Sequence, residues 1–265
     1  MASVTIQMPP HHQTVVNRFI TACQQDERVL AAILCGSYAR GAADAYSDLD
    51  FALITTEDAY APFIADKATF IHQLGEPLFL EDFGLPHHIF FIFPDDSEGE
   101  VAIGQERHFT HLCRGSYQVL LDKKQLLTDA IFVGTAPTTA EQTEKLQRLV
   151  AWFWHDFSHL ITALGRGQLW WAHGQIEVLR LMCVNLARLR HNFADPYVSD
   201  EYFKVEQALP VAQLSALEAT YCPLQQDAMR QAAQVILRFY QEVAPPLARA
   251  HGIPYPTGLE QVMVT

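Results

Sequence analysis

The sequence predicts an α+β protein, with a small mixed sheet in its first half and an all-helical bundle in its second. Apolar runs of strand length alternate with helical spacing in the first half, whereas apolar residues after residue 139 recur at helical spacing almost throughout. The turn-rich stretch 134–139 separates the two patterns and ends in helix-capping residues. We therefore expect one domain over 1–135 and a second over 136–265, each long enough for its own core.

The first half is expected to alternate strands and helices because its apolar spacing alternates between the two periods. Its expected elements are a helix near 13–25, a strand at 29–35, a short helix after Gly36, a strand at 48–54, a helix over 59–74, a strand at 87–93, its hairpin partner at 100–103, and a last strand at 117–121. The hairpin follows from the polar stretch 94–99, whose proline and glycine favour a tight turn.

The second half is expected to hold long helices. An apolar stripe from Leu146 to Leu164 predicts the first, and the glycines that follow it favour an end there. Residues 169–189 predict a second helix. Residues 227–243 predict a third, which Pro245 and Pro246 are expected to end because proline cannot donate a backbone hydrogen bond.

The most informative segment joins a Gly-Ser pair to two aspartates. Gly36 and Ser37 follow the apolar run 29–34, and a strand-to-helix turn there leaves backbone N–H groups free to bind a phosphate. Asp48 and Asp50 lie in the next apolar run, where side chains at i and i+2 of a strand share one face. Two carboxylates on one face repel unless a cation lies between them, so the segment predicts a Mg²⁺–nucleotide site.

This order of motifs resembles the nucleotidyltransferase superfamily that includes DNA polymerase β. Within it the chain is most similar to the lincosamide nucleotidyltransferases, and next to the aminoglycoside adenylyltransferases. The resemblance is strong over 26–54, extends to about residue 121, and is weak in the helical remainder. It implies a polymerase β-like nucleotidyltransferase domain followed by a helical substrate-binding domain. It also implies Mg²⁺-dependent transfer of a nucleotidyl group, AMP from ATP or its equivalent from another triphosphate, to an antibiotic hydroxyl with release of pyrophosphate.

By this resemblance Asp48 and Asp50 are the catalytic metal ligands. Glu100, which opens the expected strand at 100–103, is the best match to the third carboxylate of the superfamily, as a ligand or as the base that accepts the acceptor's proton. The acidic residues of the turn at 95–98 compete for that role, although a tight turn already explains them. One and two Mg²⁺ ions are both compatible with this set.

The resemblance also implies a set of nucleotide-binding residues. Gly36 allows the backbone to approach phosphate oxygens, and the Ser37 hydroxyl and N–H would bind the terminal phosphates. Arg40 is a candidate phosphate partner, with a solvated helix position as the alternative. Arg166, just after the first helix of the second half, could reach the triphosphate from an opposite wall.

Two histidines on the first helix of the second half imitate a zinc-protease motif. His155 and His159 stand at i and i+4, as in His-Glu-x-x-His, but Asp156 replaces the glutamate and no third ligand is evident. A protease is therefore disfavoured. The histidines are expected to form a polar edge that faces solvent or the acceptor.

The second helix offers a further candidate edge for the acceptor. His173 and Glu177 lie one turn apart, with Arg180 on the same face. Trp170 could form an apolar wall for the acceptor, although core packing is the favoured interpretation of Trp170 and Trp171.

Composition narrows the class of protein. Hydrophobic residues make up 49% of the chain and charged residues 18%, which is typical of a globular protein, and no apolar run is long enough to span a bilayer. The five cysteines are widely spaced in apolar contexts, so buried thiols are expected rather than disulfides. The first residues lack the basic and apolar regions of a signal peptide, and a cytoplasmic location is expected.

The distribution of charge limits the classes of partner that the chain is expected to bind. The net charge is −12, and residues 1–135 hold 8 Lys/Arg against 18 Asp/Glu, while 136–265 hold 10 against 12. Nucleic-acid binding normally needs a basic track, and none is visible, so a small-molecule acceptor is expected. An acidic catalytic domain would attract a cationic acceptor such as an amino sugar. A homodimer is compatible with the sequence, although no residue argues for it.

Two alternative functions stay open at this stage. The chain could adenylylate another small metabolite or a protein hydroxyl. It could also be a non-catalytic, antitoxin-like member of the superfamily, which the intact carboxylates and the separate helical bundle disfavour.

Overall fold

The computed structural model describes residues 8–113, 115–132, 137–195 and 201–264. Contacts divide the chain into two compact units, Met1–Thr135 and Ala136–Thr265. The expected separating stretch at 134–139 lies outside the described residues over 134–136. None of the helices in the described ranges is long and apolar enough to cross a membrane.

The first unit combines helices with a mixed sheet, which confirms the predicted α+β class. Its elements are α1 (Pro10–Gln25), β1 (Val29–Leu34), α2 (Gly36–Ala39), β2 (Leu49–Thr55), α3 (Glu57–His72), β3 (Phe79–Glu81), β4 (His88–Ile92), β5 (Glu98–Gln105) and β6 (Gln118–Asp122). The short strand β3 was not predicted, because it has only three residues and these are partly exposed.

The six strands form one sheet in the order β3-β4-β5-β2-β1-β6. The central pair β2 and β5 is parallel, and the other pairs are antiparallel. The predicted hairpin between β4 and β5 is confirmed. The parallel pair matters most for function, because it brings two sequence-distant strands side by side at the centre of the sheet.

The two faces of the sheet are covered differently. On one face Phe51 of β2 packs under α1, where its ring stacks on Phe19 with centroids 4.1 Å apart. The opposite face is lined by small or branched residues such as Ala52 and Ala102, and the segment after β6 covers part of it through Leu127. The alternation of β2 therefore directs its even-numbered residues to a face that helices α1 and α3 do not occupy.

The second unit is helical, as predicted. Its elements are α4 (Thr139–Gly165), α5 (Leu169–His191), α6 (Val205–Ala208), α7 (Val211–Glu218), α8 (Gln226–Ala250) and α9 (Thr257–Val264). Helix α4 begins with a capping box, in which Thr138 and Glu141 bond each other's backbone N–H groups. Its core joins α4, α5 and α8, and the rings of Phe153 and Tyr240 stack at 3.6 Å.

The prediction that Pro245 and Pro246 end the third long helix is wrong, because both lie inside α8. A proline at 246 cannot donate to the carbonyl of Glu242, one turn earlier. The side chain of Arg190 on α5 donates to that carbonyl at 3.4 Å. A hydrogen bond from a neighbouring helix thus replaces one that the proline removes, and the helix continues.

Candidate functional site

The turn between β1 and α2 fixes a glycine against a carboxylate. Gly36 has φ +60°, a conformation that glycine adopts without steric cost. A Cβ at this position would overlap the carboxylate of Asp50. The N–H of Cys35 donates to the backbone oxygen of Asp50 at 2.8 Å, which holds the turn against β2. Only glycine fits here while Asp50 keeps its place.

The next residue carries a hydroxyl without a partner. The Oγ of Ser37 is buried and has no hydrogen-bond partner among the described residues. A buried polar atom left unsatisfied costs on the order of 1–3 kcal/mol. Such a group in a turn beside carboxylates fits a hydroxyl that bonds a ligand.

Two carboxylates meet across the parallel strand pair. Asp50 of β2 lies in register with Glu100 of β5, so both side chains leave the sheet on the same face. Asp48 precedes β2 by one residue and shares this side of the chain by alternation. The strand containing Glu100 begins at Glu98, two residues earlier than predicted.

Burial and mutual repulsion perturb the two central carboxyls. Burial, with the nearby Asp48 charge, raises the pKa of Asp50 to about 6, and Arg40 opposes this rise. Burial raises the pKa of Glu100 to about 7, with contributions from Asp50 and Asp48. Two half-buried acids with raised pKa values side by side are the arrangement expected of a cation or proton-transfer site.

A bound cation would fit this donor set. The three carboxylates supply only oxygen donors, which suit Mg²⁺. In this structure the oxygens of the three carboxylates do not all lie within 4.8 Å of one another. The carboxyl groups still act on one another, since the charges of Asp50 and Asp48 contribute to the raised pKa of Glu100.

A cavity of about 360 Å³ opens over the carboxylates. Its lining includes Gly36, Arg40, Asp50 and Glu100, so four of the predicted site residues share one space. Arg40 is exposed and lies at the C-terminal end of α2. The cavity therefore brings a candidate phosphate partner, Arg40, together with two candidate metal ligands, Asp50 and Glu100.

Sequence reasoning missed two histidines in this cavity, His88 and His111. His88 is the first residue of β4. His88 pairs with Ala102, two residues from Glu100, and therefore shares its face. Its Nδ1 is buried without a hydrogen-bond partner among the described residues, and burial with neighbouring positive charge lowers its pKa.

A second cavity of about 470 Å³ lies on the side of Asp48. It is lined by the start of α1, the loop before β2 and the hairpin turn, including His12 and Asp95. The Nδ1 of His12 is 2.6 Å from the hydroxyl of Tyr38. The side chain of Asp95 accepts from the N–H of Ser97, so the turn explanation of this acid holds.

The candidate acceptor residues of the second unit fall into different environments. Trp170 is 81% exposed, so its interpretation as core packing is wrong. His173 is exposed on α5. The carboxylate of Glu177 is bound by Arg180 and by the hydroxyl of Tyr202, which gives it a structural role within the unit.

The predicted polar edge on α4 exists. One ligand atom each of His155, Asp156 and His159 lies within 4.8 Å of the others. Arg166 is exposed at the C-terminal end of α4. Its predicted contact with a triphosphate stays a prediction, as does the acceptor role of the residues on α4 and α5.

Comparisons with known proteins point to one family. A family model described as streptomycin adenylyltransferase matches residues 11–265. No curated protein sequence matches the chain significantly. Among solved structures, an aminoglycoside 6-adenyltransferase from Bacillus subtilis is similar at 11% identity, with 97% of both chains covered and a TM-score of 0.45.

A nucleotidyltransferase-like protein from Exiguobacterium sibiricum 255-15 is similar at 12% identity, with 89% of this chain and 77% of that chain covered and a TM-score of 0.39. TM-scores of 0.45 and 0.39 at such low identity establish neither the family nor the activity of this chain. The match of the family model, which spans nearly the whole chain, carries the classification by itself.

Proposed function

The chain belongs to the streptomycin adenylyltransferase family and is thus a nucleotidyltransferase of the antibiotic-modifying class, and from that premise we propose its reaction. It transfers AMP from ATP to a hydroxyl group of an aminoglycoside and releases pyrophosphate. The observation that carries the proposal is the in-register pair Asp50 and Glu100, whose pKa values are raised beside a glycine turn and an unpartnered serine hydroxyl.

The bonds balance in a single displacement. The acceptor oxygen forms a bond to the α-phosphorus while the bond from that phosphorus to the bridging oxygen breaks, and pyrophosphate leaves. The acceptor proton must pass to a base. Glu100 suits this role by position, because it lies in register with Asp50 on the face of the sheet that carries the proposed metal ligands.

Asp48, Asp50 and Glu100 would hold Mg²⁺, which would neutralise charge on the phosphates and on the attacking and leaving oxygens. The chain's own residues position the reactants. Gly36 permits close approach of the backbone to phosphate oxygens, and the hydroxyl of Ser37 donates a hydrogen bond that no protein group takes. Arg40 contributes positive charge at the same cavity.

The acceptor class follows from the family and from charge. The family description names streptomycin, which favours an aminoglycoside over a lincosamide. An aminoglycoside carries several ammonium groups, and residues 1–135 carry 18 acidic against 8 basic residues. His155, His159, Trp170, His173 and Glu177 remain the predicted contacts of the acceptor, and Arg166 remains a predicted contact of the triphosphate.

The experiment incubates the protein with ATP, Mg²⁺ and a panel of aminoglycosides and lincosamides, and measures pyrophosphate release and the mass of each antibiotic. We expect an AMP adduct on at least one aminoglycoside. Asp48→Asn should lower the rate by at least about a hundredfold, because it removes a ligand of the ion that would neutralise charge on the phosphates in the transition state. Asp44→Asn is the matched control, since Asp44 is an exposed carboxylate of the preceding loop that bonds only its own turn.

Each outcome has a distinct meaning. A folded Asp48→Asn protein with near-normal rate would overturn the catalytic assignment. Transfer to a lincosamide alone would keep the chemistry and overturn the acceptor. Pyrophosphate release only with a small metabolite or a protein hydroxyl would select that alternative, and a stoichiometric protein partner without nucleotide binding would select the antitoxin-like one.

A further inference from the structure

A histidine cluster lies on α4 of the second unit. His155, Asp156 and His159 each offer one ligand atom, and these atoms lie within 4.8 Å of one another. Among the described residues, no other group of three or more histidine, cysteine or acidic side chains converges this closely.

The helix itself creates the convergence. Residues at i and i+4 lie on one face of a helix, and the rings of His155 and His159 have centroids 4.4 Å apart. The side chain of Asp156 reaches the same place, with its Oδ1 2.9 Å from the Nδ1 of His155. That contact already places a donor atom of His155 beside a donor atom of Asp156.

Exposure permits entry from solvent. The side chain of His155 is 62% exposed, whereas that of Asp156 is 14% exposed. The ring of His159 lies 5.8 Å from that of Trp171 on α5, which limits its movement. Two of the three donors are thus partly ordered by neighbours, while the third faces the solvent.

We propose that His155, Asp156 and His159 bind one divalent transition-metal ion of the Zn²⁺ type. Two imidazoles and a carboxylate are ligands that Zn²⁺ takes, and imidazole favours Zn²⁺, Ni²⁺ and Cu²⁺ over Mg²⁺. Zinc ligands at about 2.1 Å in a tetrahedron lie roughly 3.4 Å apart, so small side-chain rotations close the set. Three protein ligands leave one position for water.

An ion pair between His155 and Asp156 would explain two members of the cluster but not the third. His159 makes no hydrogen bond to either of them, yet its ligand atom is in reach of both. Chelation accounts for all three side chains at once. His155 and His159 are also predicted contacts of the acceptor, but Zn²⁺ binding here uses none of the carboxylates of the first unit and needs no acceptor.

The test titrates the full-length protein with Zn²⁺ by calorimetry in millimolar Mg²⁺, which occupies oxygen-only sites. We expect one equivalent of Zn²⁺ to bind. Paramagnetic Cu²⁺ should bind at the same place and quench tryptophan fluorescence, since Trp152 and Trp171 lie 6.4 Å and 5.8 Å from the two histidine rings. Zn²⁺ should also raise the melting temperature, as any ligand of the folded state does.

Variants assign the ligands. His155→Ala and His159→Gln should each weaken Zn²⁺ binding by about tenfold or more, and the double variant should abolish the one-equivalent event. The chain has 12 histidines, so a matched control is needed. His72→Ala serves, because His72 is an exposed helical histidine paired with the carboxylate of Glu76 at i+4.

Circular dichroism checks that each variant is folded before binding is compared. Unchanged affinity in the folded double variant would overturn the proposal. So would an equal loss of affinity in His72→Ala, which would indicate binding by scattered histidines. The Zn²⁺ titration measures metal binding without acceptor or ATP, whereas the Asp48→Asn assay measures the carboxylate site, so failure of one proposal is distinguishable from failure of the other.

Discussion

Gly36 couples the backbone turn to the position of a carboxylate. Gly36→Ala should slow nucleotidyl transfer by at least about tenfold, because the new methyl group would displace the Asp50 carboxylate. It should also cost about 1 kcal/mol of stability, since alanine at φ +60° is strained. Initial rates and the midpoint of urea unfolding measure the two effects.

The control for this change is Gly41→Ala. Gly41 has φ +66°, but a Cβ there meets no atom within 4 Å. It should show the loss of stability without the loss of rate. If both variants lost the same activity, backbone strain and not contact with Asp50 would be the cause.

The raised pKa values of Asp50 and Glu100 predict how stability depends on pH without Mg²⁺. The folded protein holds these protons up to pH about 6 and about 7, whereas the unfolded chain releases them near pH 4. Folding therefore takes up protons between about pH 4 and pH 7. The free energy of unfolding should rise as pH falls from about 8 to about 5.

Glu100→Gln should flatten this rise and increase stability at pH 8 by about 1–2 kcal/mol, because it removes an ionised group that burial destabilises. Urea unfolding at pH 8 and pH 5 in chelator provides the measurement. Glu98→Gln, an exposed position on the same strand, should leave both values unchanged. If the free energy of unfolding of the wild-type protein decreased as the pH was lowered from 8 to 5, the raised pKa values of Asp50 and Glu100 would be contradicted.

The residues of the site differ in how far local sequence could predict them. Asp48 and Asp50 follow from the i, i+2 rule within one strand. The nearness of Glu100 depends on pairing between β2 and β5, which lie about fifty residues apart, and local periodicity does not specify such pairing. His88 was within reach of prediction, because the hairpin register that pairs Phe90 with Glu100 also places His88 on that face.

At the scale of elements, long segments with regular apolar spacing were predictable. Hydrogen bonds that a neighbouring helix supplies in place of a lost backbone bond were not. The apolar stripe of α4 and the runs of β1 and β2 are strong local signals. The continuation of α8 through Pro245 and Pro246 depends on packing and on a hydrogen bond from Arg190 to the carbonyl oxygen of Glu242 in the preceding turn. The short helices α6 and α7 lack a long apolar stripe, so their sequences look like loop.

The hydroxyl of Tyr240 links α8 to α4, and its contribution to stability can be predicted. Tyr240 of α8 is fully buried and donates its hydroxyl proton to the carbonyl oxygen of Val150 on α4 at 2.8 Å. Tyr240→Phe should lower the free energy of unfolding by about 1 kcal/mol, because the ring stack on Phe153 remains and only the hydrogen bond is lost.

Tyr240→Leu is the comparison, and it should cost more than Tyr240→Phe because it also removes the ring stack and leaves space in the core. Equilibrium unfolding followed by near-ultraviolet circular dichroism reports this unit through its tryptophans. If the two variants were equally stable, the ring stack would contribute little and the hydrogen bond would carry the link between the helices.

At the scale of the whole molecule, the net charge of −12 should attract a cationic aminoglycoside and repel anionic ATP. A cationic aminoglycoside is attracted over a distance set by the Debye length, which shrinks from about 20 Å to about 6 Å between roughly 0.02 M and 0.3 M salt. Raising salt over that range should therefore lower kcat/KM for the aminoglycoside several-fold, while kcat changes less than about twofold.

ATP serves as the internal control for this effect, because its complex with Mg²⁺ remains anionic. Its kcat/KM should stay constant or rise with salt, since screening weakens repulsion by an acidic protein. Steady-state rates over a salt series, with each substrate varied in turn, separate the two responses. A fall of both values together would indicate a general effect of salt on the enzyme and would contradict steering, whereas opposite responses tie the acidity of the chain to the choice of a cationic acceptor.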